Sequence, residues 1–250
     1  ADSDSFTWLK LRHAVQPRLE YTYIPFTEQD KYPYFDEDDR IRATNELTYS
    51  LTNIFTTKTG RMQPNPETQG TTGLKVDYLD LARLRLEQSY DIREETRNDD
   101  TDEYPNRPFS DLLADLTTRL SPWLFLTNKT WYSPYENEIT EHEHSLWAYY
   151  EDRIYASFSL DFLQEIDEYL RQEQDRERIA AFGAGFGITK EWSAAMLYRV
   201  DWESGTDLEK RIALRYDHQC FSTETAWTQT DDDTRFEFRV ILAQLGSVGR

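Results

Sequence analysis

The chain has 250 residues, enough for one all-β domain, and no run of about 18 apolar residues that could form a transmembrane helix. Its formal net charge of −19 excludes nucleic acid as a partner, because nucleic acid binds basic surfaces. The single cysteine, Cys220, excludes an internal disulfide framework. Hydrophobic residues are only 38% but aromatic residues reach 14%. This pairing suits a β-barrel with a polar interior and aromatic rims, and equally a soluble carbohydrate-binding β protein.

The first part of the chain contains three predicted strands. Residues 8–26 and 43–56 alternate apolar and polar side chains, as strands with two different faces do. Pro17 lies inside the first strand and cannot donate a ladder hydrogen bond, which predicts an edge position or a bulge. Residues 57–73 are rich in glycine and proline and predict a loop, and residues 74–95 predict a long third strand.

Nine further predicted strands follow an acidic loop. Their bounds are 109–120, 122–133, 140–150, 153–164, 178–189, 192–203, 207–218, 220–230 and 234–244. Tight turns alternate with longer connections, which is typical of a barrel with short turns at one rim and larger loops at the other. Residues 162–176 approach helical spacing, which predicts a short helix within one of the loops.

The stretch from Trp192 to Trp202 indicates the fold class most directly. Its even positions are apolar or aromatic, whereas its odd positions become increasingly charged. At about 3.3 Å per residue and a tilt near 45°, the two indoles lie roughly 24 Å apart along a membrane normal, about the height of a barrel's lipid-facing band. We therefore predict an all-β fold, an antiparallel transmembrane β-barrel, with Trp192 and Trp202 in its aromatic girdles.

Arginines that parity directs toward the inside of such a barrel are the main candidate functional residues. They are Arg12, Arg18, Arg199, Arg211, Arg215, Arg235 and Arg239. Because they alternate with acidic residues, ion pairing within a polar lumen is the first expectation. Contact with the headgroup of an anionic amphiphile is the second.

Other motifs give no sign of catalysis. His142 and His144 share one strand face at a spacing that some metal sites use, but no third ligand can be identified, so no metal site is predicted. The alternating glycines of residues 182–187 favour a strand with a bare face over a nucleotide-binding loop. Neither a nucleophile elbow nor a phosphate loop is present, and we predict no enzymatic activity.

Several segments together resemble the LptD, or organic-solvent-tolerance, family of outer-membrane lipopolysaccharide-assembly proteins. They are His13 to Phe26, Gln29-Asp30, Pro33 to Asp36, Asp39-Arg40-Ile41, Asn45 to Asn53, Arg107 to Asp111, Tyr216 to Phe221 and Leu242 to Gly246. These segments lie along most of the chain in the family's order, so their joint specificity is high.

The resemblance implies a large barrel that passes lipopolysaccharide into the outer leaflet of the Gram-negative outer membrane. Its implied partners are lipopolysaccharide, a plug lipoprotein similar to LptE and a periplasmic bridge similar to LptA. The family's last strand lines a lateral seam, which implies seam positions at Phe236, Phe238, Val240 and Leu242. Cys220 matches a cysteine that typically bonds to the family's N-terminal periplasmic domain. No cofactor is implied, although divalent cations could join acidic external loops to lipopolysaccharide.

The chain departs from the family pattern at its N-terminal side. It starts at Ala1 without Met or a signal peptide, and the periplasmic domain and roughly the first half of the barrel have no counterpart. We expect residues 1–250 to form a single outer-membrane domain of about twelve strands. They are either the C-terminal half of a larger barrel or a barrel that closes on itself. Two alternatives remain: a soluble all-β protein that binds or cleaves polysaccharide, and a general porin.

Overall fold

The structure, a computed structural model, describes residues 7–28, 42–64, 72–98, 104–151, 153–168, 171–174, 176–242 and 246–248. Most of them lie in strands. These are β1 (Thr7–Ile24), β2 (Thr44–Pro64), β3 (Thr72–Asp91), β4 (Leu112–Ser121), β5 (Leu124–Ser133), β6 (Glu138–Tyr150), β7 (Ile154–Leu163), β8 (Ile166–Glu168), β9 (Arg171–Gln174), β10 (Glu177–Gly187), β11 (Trp192–Asp201), β12 (Asp207–Asp217), β13 (Phe221–Thr230), β14 (Thr234–Leu242) and β15 (Gly246–Val248). A four-residue helix, α1 (Ile92–Glu95), follows β3. Among the described residues no helix has the length and apolar character needed to cross a membrane.

The described strands form antiparallel sheet in chain order, which confirms the predicted all-β fold. Thirteen strands belong to one sheet, while β8 and β9 pair with each other in a second. The chain divides into two compact units: residues 1–118, 130–140 and 168–172 form unit 1, and residues 119–129, 141–167 and 173–250 form unit 2. That residues 1–250 form a single domain stays a prediction.

In unit 1 the first strands form a long antiparallel hairpin. β1 is the first strand of its sheet, and Pro17 lies opposite Leu51, which confirms the edge position expected for this proline. The predicted loop 57–73 is wrong over most of its length, because β2 continues to Pro64 and β3 begins at Thr72. Threonines with high strand propensity fill the start of this stretch and outweigh its glycine. The remaining connection lies outside the described residues.

In unit 2 the register from β6 to β14 is regular except for a shift between Arg199 and Val200, where β11 pairs with β12. Phe182 of β10, for example, lies opposite Phe158 of β7 and Tyr198 of β11. The helix predicted over 162–176 is wrong: Phe162 and Leu163 complete β7, and β8 and β9 follow. Because β7 pairs with both β6 and β10 as far as Leu163, ladder hydrogen bonds on two sides override the local helical spacing.

Burial is the reverse of that in a soluble protein. Ala180 and Ala226 are the only buried hydrophobic residues in the described part of the chain. Fully buried side chains are instead small and polar, such as Thr57, Thr228 and Ser133. Large apolar side chains are exposed in both units, and Phe236 keeps 78% of its surface accessible. A water-soluble domain would cover such side chains with a second layer.

Candidate functional site

Unit 2 has an apolar face made by the even positions of β6, β7, β10, β11, β12 and β14 and the odd positions of β13. Exposed members are Tyr150, Ile154, Phe182, Phe186, Met196, Ile212, Leu214, Phe236 and Phe238. The register aligns them across strands, so that Met196 lies opposite Ile212. In unit 1 the odd positions of β1 and β2 form a similar face, which includes Leu19 and Leu51.

The two tryptophans of the predicted girdles lie at opposite ends of β11. Trp192 is 41% exposed and packs 4.9 Å from the ring of Tyr216. Trp202 follows the last residue of β11, is 51% exposed, and lies 5.6 Å from the guanidinium of Arg178. Amphipathic rings at both ends of an apolar strand face suit two membrane interfaces. Their membrane position stays a prediction.

The opposite, polar face of unit 2 carries a ladder of ion pairs across β12, β13 and β14. Arg211 is at its centre and donates to Glu224 at 3.1 Å and to Glu237 at 3.0 Å. A third contact runs to the hydroxyl of Thr228 at 3.4 Å. Because each carboxylate comes from a different strand, Arg211 joins three strands through side chains as well as through the backbone ladder.

The other predicted arginines lie on polar faces as well. Arg215 pairs with Asp217 at 2.8 Å, Arg235 with Glu237 at 3.3 Å, Arg199 with Glu209 at 3.6 Å and Arg18 with Glu20 at 2.5 Å. Arg239 lies opposite Glu224, and Arg12 of unit 1 lies opposite Thr56. Five of the seven therefore form ion pairs, the first of the two expectations. That these faces line a lumen stays a prediction.

Sequence reasoning missed an aromatic group on the polar face of unit 2, which we call the aromatic bed. It consists of Phe125, Trp147, Tyr149 and Tyr155. The rings of Trp147 and Tyr149 are nearly parallel, 11° apart, with centroids at 6.3 Å. Trp147 and Tyr155 are 6.4 Å apart, and Phe125 meets Tyr149 edge-on at 5.9 Å. The only signal in the sequence is that Trp147 and Tyr149 have the parity of charged neighbours.

Glycines of β10 make room for this bed. A Cβ atom at Gly185 would lie 2.2 Å from Cε1 of Tyr155, and one at Gly183 would lie 2.4 Å from the hydroxyl of Ser157. The ring of Tyr155 therefore rests directly on the backbone of the neighbouring strand. The prediction that residues 182–187 form a strand with a bare face is confirmed.

The four predicted seam residues all lie in β14, on the apolar side. Phe236 and Phe238 are exposed, and Val240 and Leu242 are half-buried. The structure adds a three-residue strand, β15, which pairs with Val240–Leu242 on the side away from β13. The end of β14 is thus covered by a short pairing. The role of the four residues in a seam stays a prediction.

Two smaller predictions concern Cys220 and the pair of histidines in β6. Cys220 is an exposed free thiol in the turn between β12 and β13, and its disulfide partner stays a prediction. His142 and His144 contact each other edge-on at 4.0 Å, and His144 also bonds to the amide of Asn128 at 2.9 Å. No group of three metal-binding side chains occurs among the residues that the structure describes.

A thirteen-stranded antiparallel sheet with exposed apolar side chains on one face and ion pairs on the other is typical of outer-membrane β-barrel proteins. The sequence profile of the LptD family, described as LPS transport system D, matches residues 3–192, and the chain belongs to this family. The matching segments near residues 216–221 and 242–246 lie beyond that range. No curated protein sequence matches the chain.

Proposed function

We propose that this chain is the part of an outer-membrane translocon through which lipopolysaccharide reaches the outer leaflet. Membership of the family places the chain in lipopolysaccharide transport at the outer membrane. The observation that carries the proposal is the division of unit 2 into an exposed apolar face and an ion-paired polar face. Lipopolysaccharide has the same division, with acyl chains at one end and a charged saccharide at the other. One sheet therefore offers a suitable surface to each half of the cargo.

The cargo's saccharide would pass along the polar face while its acyl chains leave through a seam beside β14. Phe236, Phe238, Val240 and Leu242 give this strand an apolar face that tolerates acyl chains. An unpaired backbone group in hydrocarbon costs several kcal/mol, so a seam that opens must have few ladder bonds to break. The pairing of β15 with only Val240–Leu242 is short enough to meet this condition.

Partners follow from the same proposal. A plug lipoprotein similar to LptE would fill the lumen, and a periplasmic bridge similar to LptA would deliver the cargo. Cys220, in a turn of unit 2, would face the periplasm and bond to an N-terminal domain. Asp231, Asp232 and Asp233, at the opposite end of β13, would face the exterior, where divalent cations can join carboxylates to anionic lipid.

The two alternatives differ from the proposal in what contacts each face. A soluble polysaccharide-binding protein would use aromatic rings for sugars, and the aromatic bed suits that use. It would not, however, leave Phe236 and Met196 exposed on the apolar face of unit 2 without a covering layer. A general porin would have the same faces but no selective contact with lipopolysaccharide.

Site-specific photocrosslinking in cells tests the proposal. A photoreactive residue at Ser157, on the polar face, should capture lipopolysaccharide. One at Ile154, on the apolar face at the first residue of β7, should capture phospholipid only, because it would lie at the inner leaflet. Absence of lipopolysaccharide adducts at Ser157 contradicts the proposal. A single-channel conductance that is large and unaffected by the lipoprotein partner would support the porin instead.

A further inference from the structure

The aromatic bed has a surface that the ion-pair ladder does not use. Trp147 is 39% exposed and Tyr149 is 42% exposed, although both belong to the polar face. The residues that lie beside the bed on β7 and β10 are small, since Trp147 lies opposite Ser157 and Ser157 lies opposite Gly183. Large rings held in fixed mutual positions on an otherwise small and polar surface form a platform that can bind a flat apolar ligand surface.

Two adjoining depressions lie over this platform. One has a volume of about 410 Å³ and is lined by Trp147, Tyr149, Tyr155 and Arg211. The other has a volume of about 550 Å³, shares Tyr149 and Tyr155, and extends to Arg153 and Lys190. Both volumes are within the range of small-ligand sites. The wider depression leads to Arg153 and to the turn 188–191, at one end of the polar face.

Charge at the rim indicates what kind of ligand fits. Arg153 donates to the carbonyl of Thr189 at 3.0 Å and remains exposed. Lys190, the residue after Thr189, is exposed as well. Arg215 also lines this depression, as do the carboxylates Glu191, Asp217 and Glu224, so its charged groups are of both signs. A ligand here would meet aromatic rings together with cations and carboxylates. Acyl chains form no favourable contact with these charged groups, whereas a saccharide can stack on the rings, donate hydroxyls to the carboxylates and place phosphate or carboxylate groups near Arg153 and Lys190.

We propose that the aromatic bed binds the pyranose rings of the cargo's saccharide, with Arg153 and Lys190 receiving its anionic substituents. This inference rests on the proposed function. It assigns to Trp147, Tyr149 and Tyr155 a contact with the C–H faces of sugar rings. Binding at such a site is weak, because a ligand on an open face forms few contacts to offset the entropy that it loses. Weak binding suits a cargo that must be released again.

The test uses the full chain in lipid nanodiscs and fully de-acylated lipooligosaccharide as the probe, titrated by isothermal calorimetry. Wild-type protein should bind with a millimolar Kd. Tyr149→Ala should weaken binding about tenfold, because one stacked ring is lost. Tyr149→Phe should keep binding near the wild-type value, since the ring remains. Tyr150→Ala is the matched control: its ring belongs to the next residue on the opposite face, so binding should not change.

Equal losses in Tyr149→Ala and Tyr150→Ala, or no detectable binding to the wild-type chain, would overturn the inference. The photocrosslink at Ser157 separates the two proposals. If Ser157 still captures lipopolysaccharide in cells when Tyr149→Ala has no effect on the probe, transport stands and the aromatic bed is not its saccharide site. If the probe binds through Tyr149 but Ser157 captures no lipopolysaccharide, the saccharide site stands and transport fails.

Discussion

Arg211 shows how single residues stabilise the polar face. Its side chain is 24% exposed, and its two acceptors Glu224 and Glu237 are 20% and 28% exposed. Each of these partly buried charges loses part of its hydration. The ion pairs offset the free-energy cost of that loss. The three residues therefore form a unit in which removing Arg211 takes the shared cation from both carboxylates.

Arg211→Met should lower the free energy of unfolding by about 1–3 kcal/mol, since two charge-assisted hydrogen bonds are lost and Glu224 and Glu237 lose the cation that they share. Unfolding by urea in lipid vesicles, followed by tryptophan fluorescence, measures the change. Adding Glu224→Gln and Glu237→Gln to Arg211→Met should restore part of the loss, because neither carboxylate is then left without that cation.

Arg235→Met is the matched control for this prediction. Arg235 bonds the same Glu237 but is 56% exposed, so solvent screens the pair and the cost should stay below about 1 kcal/mol. If Arg235→Met lowers the free energy of unfolding as much as Arg211→Met does, the central position of Arg211 does not make it more important for stability.

Gly185→Ala should displace Tyr155, since the new Cβ would lie 2.2 Å from its ring. Overpacking of this kind costs about 1–3 kcal/mol. At Gly187 the nearest atom is the Nε of Arg153 at 3.2 Å, at the flexible end of an exposed side chain, so Gly187→Ala should be close to neutral. Equal stability of the two variants in the same vesicle assay would mean that the ring does not rest on Gly185.

The sequence indicates which strand face the arginines share, but it gives no sign of the aromatic bed. Strand parity alone puts Arg211 and Arg235 on one face, because side chains alternate whatever the partner strand is. Trp147 and Tyr149 share the strand face of Glu141 and Glu143. A pattern that counts aromatic residues as apolar does not predict an aromatic group on a charged face. Their proximity to Tyr155 depends on the register between β6 and β7, which parity does not contain.

At the scale of the element, β11 is the strand whose environment is most sharply testable. Met196 is 53% exposed in the middle of this strand, opposite Ala184 and Ile212. Trp192 lies at the strand's first residue. If β11 crosses a bilayer, a charge at these two positions meets very different surroundings.

Met196→Arg should lower the free energy of unfolding in vesicles by about 2–4 kcal/mol, whereas Trp192→Arg should cost only about 0–1 kcal/mol for the charge itself. The difference reflects the depth of each residue in the hydrocarbon. Met196→Leu keeps the volume and the apolar character and serves as the control. Should Met196→Arg be as stable as Met196→Leu, the apolar face of β11 does not contact lipid.

Element bounds were less predictable than element type. The twelve predicted strands are all present, but β2 runs eight residues beyond its predicted end at Thr56 and the helix at 162–176 is absent. Both errors have one cause. Glycine content and residue spacing are local properties of the sequence. How far a strand continues depends instead on the ladder hydrogen bonds that it forms with neighbouring strands.

At the scale of the whole molecule, composition and burial give one consistent account. A chain with only 38% hydrophobic residues has few side chains from which to form a buried core. In unit 2 the large apolar side chains lie instead on one exposed face. Alternation hides this from a search for long apolar runs, since every second residue is polar. The two ends of that face then carry different turns, which gives the molecule a testable orientation.

Cys220 and Asp232 flank β13 at its opposite ends and so report on this orientation. In intact cells, a membrane-impermeant maleimide should label Asp232→Cys in a Cys220→Ser background, and it should not label Cys220 in the wild-type chain. Reduction and permeabilisation should then make Cys220 reactive, whether it had been a thiol or a disulfide. Labelling of Cys220 from outside intact cells, with Asp232→Cys protected, would reverse the strand direction. The wider depression over the aromatic bed opens at the same end of the sheet as Cys220. With the strand direction reversed, this depression would face the exterior and could not receive cargo that arrives from the periplasm.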